Sequence, residues 1–268
     1  MKCIFAAFIC GGFQALFYLG MKDEIYFSEI IVTFGFSEVH FILVYLIELS
    51  LKLLPFFLFQ ILFGTYIYQH FCTASIYYFS RCQNRVKWFL KECTKLYVFA
   101  FIYPLLMVLS GTLVASISNQ IVFDRESILL FVYYVLIHSL WLFITTLLVN
   151  IIAIKLDSST GFISIVGLQM LSISTLLLWK NVWPLDDAIH SAKHVLLLKL
   201  NPISHLILSW HSSSIKGINR WINYLQIDFP ISQSILVFLS ISLVVIIIGC
   251  LIVKRQEWIA MPKEGGTI

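Results

Sequence analysis

Six long apolar runs divide the chain, over about 4–20, 41–68, 96–117, 128–154, 162–179 and 232–253. Their apolar positions are continuous rather than alternating, which predicts helices and not the strands of a barrel. Each run reaches or approaches the roughly 20 residues needed to cross a bilayer. The pattern therefore predicts an all-α membrane protein with six transmembrane helices in one domain over 1–268. What lies between the runs is too short for a separate globular domain.

Polar residues break the pattern in two places. Between the second and third runs come Tyr66-Ile67-Tyr68-Gln69-His70-Phe71 and then Tyr77-Tyr78-Phe79-Ser80-Arg81-Cys82-Gln83-Asn84-Arg85-Val86-Lys87-Trp88. This predicts a short polar, aromatic and basic helix between two spans. Between the fifth and sixth runs, Lys180 to Pro230 holds apolar pieces of about six residues, too short to cross. These predict interfacial or re-entrant helices, with Trp179, Trp183, Trp210 and Trp221 at headgroup depth.

Composition agrees with this class. Hydrophobic residues make up 60% of the 268 and charged residues 12%, whereas soluble domains are nearer a quarter charged. Basic residues then give the orientation, because Lys and Arg in short loops stay in the cytoplasm. Lys2, the group Arg81 to Lys95, Lys155, and Lys254, Arg255 and Lys263 fall on one side, against Lys22 and Arg125 in the short loops of the other. Both termini are expected inside. The net charge of +4 is then a topological signal and calls for no nucleic acid. Lys2 and the first run also resemble a signal peptide, but no A-x-A site follows, so the run is expected to be retained as a span.

Charged residues inside spans are functional candidates. Glu48 and Lys52 stand one helical turn apart, in the order that favours an ion pair. They read either as a mutually neutralising structural couple or as part of a substrate path, and Pro55 follows within a turn. His138 and Asn150 read as interhelical hydrogen-bonding residues. Asp186, His190 and His194 share one helical face, but the zinc-protease pattern H-E-x-x-H is missing. Cys82 and Cys93 near His70 lack C-x-x-C spacing, so no metal site is expected and the six cysteines are expected as thiols. There is no P-loop and no G-x-S-x-G. The chain is therefore not expected to be an enzyme.

Six spans, the segment Gly64 to Glu92 with Phe79-Ser80-Arg81 and Arg85-Val86-Lys87-Trp88, and the stretch Asn201-Pro202 to Trp210-His211 together resemble the permease subunit of an ABC transporter. The likeness is to the type 2 exporter group, and within it to small bacterial permeases for peptide or bacteriocin export and immunity. The resemblance implies a multi-pass protein of the cell's cytoplasmic membrane that transports a peptide or lipid-like substrate. It implies a coupling helix using Phe71, Tyr77, Tyr78, Phe79, Ser80, Arg81, Arg85, Lys87 and Trp88 against a separate ATPase subunit. ATP and Mg would belong to that partner, with no cofactor in this chain, and a second permease chain, identical or related, would complete the path. Family members often begin with an amphipathic cytoplasmic helix, whereas here only Met1, Lys2 and Cys3 precede the first run. Two other readings are a membrane-embedded metal-dependent enzyme using Asp186, His190 and His194, and a stand-alone immunity protein that binds an antimicrobial peptide.

Overall fold

The computed structural model describes residues 2–19, 23–35, 42–77, 84–182, 192–224 and 226–256. The apolar runs form helices α1 (Lys2–Tyr18), α3 (Ile42–Phe63), α5 (Arg85–Ser118), α6 (Arg125–Lys155), α7 (Ser158–Val182) and α10 (Ile231–Arg255). Between them lie α2 (Phe27–Phe34), α4 (Tyr66–Tyr77), α8 (Ala192–Leu200) and α9 (Lys216–Ile222), with two 3-10 turns at Ser204–Leu206 and Leu208–Trp210. Five helical stretches among the described residues are long and apolar enough to cross a membrane: Leu51–Thr73, Arg85–Ser118, Arg125–Lys155, Ser158–Leu176 and Ile231–Arg255. The apolar stretch of α1, Cys3–Phe17, is shorter.

Helix α6 is the centre of the bundle. It packs against α5, α7, α10, α2, α3 and α4, and its apolar window is 83% buried against 22% for α10. That position accounts for its polar content, since Ser139, Thr145, Thr146 and Asn150 are all enclosed by protein. Polar groups inside a bundle find partners that lipid does not supply. The polar side chain of Gln60 in α3 donates to Thr145 Oγ1 at 2.9 Å in this way.

Helix α1 lies along α5 more extensively than any other pair of helices touches. Small residues permit it. A side chain on Gly11 would collide with the Met107 carbonyl and Ser110 Oγ, and one on Gly111 would meet the Phe34 ring. Close backbone approach of this kind is how helices gain packing energy in lipid, where apolar burial supplies little drive.

The helix boundaries differ from the sequence expectation in two places. The second run does not continue to 68 as one helix: α3 ends at Phe63 and α4 starts at Tyr66. The expected coupling residues do not share one helix, because Phe71 belongs to α4 while Asn84 is non-helical and Arg85 already begins α5. Asn84 sets that start, its side chain accepting from Lys87 N at 3.0 Å as an N-cap. The fold is also not purely helical, as Glu24–Tyr26 (β1) and Gln120–Val122 (β2) pair in parallel.

The segment after α8 is enclosed by protein, with Ile203 through Trp210 all buried. Trp210, expected at headgroup depth, is 3% exposed. Trp221 is half-buried with its ring 5.6 Å from Tyr26, while Trp183 and the Trp179 side chain lie outside the described residues. The stretch is docked on α2, with Leu208 N donating to Gly35 O at 3.0 Å. Five of the eight α2 residues are buried, and α2 packs chiefly on α6.

Candidate functional site

The two ends of the bundle carry different structures. At one end, α4, the first turns of α5, the α6–α7 turn and the last turns of α10 come together; Arg85 Nη1 donates to Gln256 O at 2.6 Å. At the other lie β1, β2, α2, α8 and α9. The polar segment singled out in the sequence is at the first end.

Its geometry begins with Asn150 on α6, which is fully buried. The Asn150 amide oxygen accepts from Ile67 N at 2.8 Å and Tyr68 N at 3.0 Å. Its amide nitrogen donates to Phe63 O at 3.0 Å and Thr146 O at 2.8 Å. Helix breaks leave backbone donors and acceptors without intrahelical partners. One side chain therefore satisfies both sides of the break between α3 and α4, as an N-cap supplied from another helix.

A second cluster joins α4 to α5. Glu92, 3% exposed, receives Lys95 Nζ on one oxygen at 2.7 Å and faces His70 Nδ1 with the other at 3.1 Å. The Tyr66 ring lies 4.3 Å from that of His70. Beneath it Phe71, 1% exposed, packs against Trp88 at 5.9 Å between ring centres. A buried carboxylate is tolerated only when paired and hydrogen-bonded, and Lys95 and His70 fulfil that condition here.

The expected coupling residues are thus divided. Lys87 is exposed and Arg85 half-buried, whereas Phe71 faces the interior and Trp88 is half-buried. Tyr77 ends α4 with its side chain outside the described residues, where Tyr78, Phe79, Ser80 and Arg81 also lie. Of the substrate-path pair, Lys52 is buried at 1% exposure, and its carbonyl accepts from Gln14 Nε2 at 3.5 Å. Glu48 belongs to α3, but its side chain is outside the described residues. Close by, Tyr103 OH donates to Pro55 O at 2.9 Å. His138 does not bridge helices by hydrogen bonding: its Nδ1 pairs with Tyr134 O at 2.8 Å within α6, and its ring stacks on Phe56 of α3 at 5.4 Å.

At the other end of the bundle, two histidines flank one hydroxyl. His205 Nδ1 and His211 Nε2 meet Ser234 Oγ at 2.8 and 2.7 Å. Their remaining nitrogens face Lys199 O and Ile207 O at 2.8 and 2.9 Å. Each carbonyl needs an N–H, which sets both tautomers and leaves two ring lone pairs facing the one hydroxyl proton of Ser234. Burial among Phe229 and Phe238 pushes both imidazoles down, His211 to about 3. They hold the buried turn to α10 as neutral rings. Among the described residues no group of three His, Cys, Asp or Glu side chains could hold a metal. Asp186 and His190 lie outside those residues, as does the His194 side chain.

Several of these groups were not legible as a site. The one local signal for Glu92 is that it precedes Lys95 by three residues in an aromatic stretch. His205, His211 and Ser234 have no short spacing that would signal one network. Comparison of the chain with protein-family models, curated proteins and solved structures gives no match.

Proposed function

We propose that this chain is the membrane-spanning subunit of an ATP-driven exporter of the ABC type. The observation that carries the reading is the helical hairpin of α4 and α5. Its arms run into the candidate spans Leu51–Thr73 and Arg85–Ser118, His70 of α4 is tied to Glu92 of α5, which Lys95 also pairs, and Lys87 and Lys91 are exposed. A rigid basic hairpin at the end of the bundle that also receives the last turn of α10 is suited to transmit a push from a soluble partner. In this reading a separate ATPase holds ATP and Mg, and docks on the segment that joins α4 to α5, which includes Arg81, and on Arg85 and Lys87. A second permease chain, identical or related, lines the path with this one, and Glu48 and Lys52 contribute to it. The complex sits in the cytoplasmic membrane with the hairpin and both termini inside, and moves an amphipathic peptide or lipid-like molecule. ATP-driven closure of the partner shifts the hairpin, and the packed spans convert that shift into opening of the path.

The test is co-purification of an ATPase with the tagged chain from its native membrane, repeated with Arg81→Glu and Arg85→Glu combined. The expected result is a P-loop ATPase that the double reversal releases, with membrane insertion unchanged. Recovery of no ATPase, or equal recovery with the double reversal, overturns the docking assignment. Stoichiometric bound metal would favour the enzyme reading instead.

A further inference from the structure

Between the first turns of α6 and helix α9 lies an open groove of about 530 Å³. Its walls are aliphatic: Ile128, Val132 and Ile215 are 57%, 44% and 39% exposed, and the buried Ile218 lies behind them. Its rim carries one charge of each sign, Arg125 and Glu126. Among the described residues neither charged side chain is engaged in an ion pair. Glu126 lies against α9, since a Cβ on Gly217 would fall 2.5 Å from its Cγ and 3.0 Å from Oε1.

Along α6 the order is charge, then apolar wall. Seven residues separate Arg125 from Val132, which is about 10 Å along a helix axis. Helix α6 is a candidate membrane span; in a bilayer its exposed aliphatic residues would face acyl chains, and the charged turn would stand at the level of headgroups. A molecule complementary to this groove has a hydrocarbon part beside Ile128 and Val132, an anion for the guanidinium and a cation for the carboxylate.

We propose that this groove seats a zwitterionic phospholipid of the surrounding leaflet, one with a primary amine in its headgroup. The phosphate accepts from the forked N–H groups of Arg125, a geometry suited to guanidinium. The ammonium donates to Glu126. A choline headgroup has no N–H to give, and a glycerol headgroup brings no positive charge. Lipids of the three kinds therefore bind with different strength.

The measurement is native mass spectrometry of the full-length protein in detergent, supplemented in turn with phosphatidylethanolamine, phosphatidylcholine or phosphatidylglycerol of matched chains. The ethanolamine lipid is expected to be retained on the order of tenfold better than the choline lipid, the size of one charge-assisted hydrogen bond. Arg125→Gln should lower retention of the ethanolamine and glycerol lipids alike. Glu126→Gln should bring the ethanolamine lipid down to the choline level and leave the glycerol lipid unaffected or improved. Gly217→Ala removes no charge but displaces Glu126, and should reduce the same preference even if one of the other variants folds poorly. Equal retention of all three lipids by the wild-type protein, or a preference that survives Glu126→Gln, overturns the proposal. Stronger retention of the glycerol lipid would do so as well, and would assign the groove to anionic lipid.

Discussion

Replacing Asn150 with Leu removes a side chain that bonds to three backbone groups on the far side of an interhelical contact: Phe63 O, Ile67 N and Tyr68 N. Leu is of similar size, so the change tests the hydrogen bonds more than the packing. Interhelical hydrogen bonds in membrane proteins average about 0.6 kcal/mol, with an upper value of about 1.7. Three of them bracket the loss at about 2 to 5 kcal/mol, assuming they add. The loss falls first on α4, whose opening turn would be left with unpaired donors. Cys72 gives a local probe, since it lies in α4 and is fully buried. The assay is reaction of the native thiols with a fluorogenic maleimide as the detergent-solubilised protein is heated. Asn150→Leu should label Cys72 early and lower the unfolding midpoint by on the order of 5–15 °C. Thr146→Val, one turn away on the same helix, is the control. Among the described residues the Thr146 hydroxyl has no hydrogen-bond partner, so its loss should change the midpoint little. If both variants behave alike, Asn150 does not hold the break between α3 and α4.

Three further outcomes follow from other contacts. Gly11→Val should separate α1 from α5 at Met107 and Ser110, costing about 1–3 kcal/mol or more as overpacking does, read as a lower midpoint in the same thermal assay. Lys95→Met should destabilise more than Glu92→Gln, by about 1–3 kcal/mol. The reason is that it strips a partner from a buried carboxylate, whereas Lys95 and His70 are each nearly half exposed and can turn to water; the reverse order in thermal unfolding would refute this. The depressed His205 and His211 contribute stability that is fully present above the ordinary histidine value of about 6.5 and is lost as pH falls below it, for His211 down to about 3. Unfolding midpoints measured from pH 7 to pH 4 should fall more steeply for the wild-type protein than for His211→Gln, by up to about 1.4 kcal/mol per pH unit.

The spans were legible because they rest on continuous apolar runs, a signal that local sequence carries in full. The run at 128–154 coincides closely with α6, and the run at 232–253 with α10. The break at Gly64 was hidden because the residue that stabilises it, Asn150, is more than eighty positions away. The same limit applies to Glu92, whose basic partners read as a topological charge cluster. The burial of Trp210 against protein was hidden for a related reason. A tryptophan near a span end favours the headgroup region by default, but here α2 and α10 offer a protein interior to the same stretch. Periodicity reports which residues avoid water; it does not report whether lipid or another helix replaces it.

The bond from Tyr103 to Pro55 has a mechanical consequence. Proline removes one rung from a helix's hydrogen-bond ladder and makes that turn the easiest to bend. Pro55 interrupts α3 and Pro104 interrupts α5, and the Tyr103 hydroxyl ties the two turns together at one depth. Two softened turns side by side form a hinge line crossing both helices. On one side of it lie the rest of α3, all of α4 and the first half of α5, a single lever about 28 Å long measured from Arg85 to Pro104. A tilt of about 5° at that hinge would carry Arg85 through about 2.5 Å, while α1 and α5 stayed locked beyond it at Gly11 and Gly111.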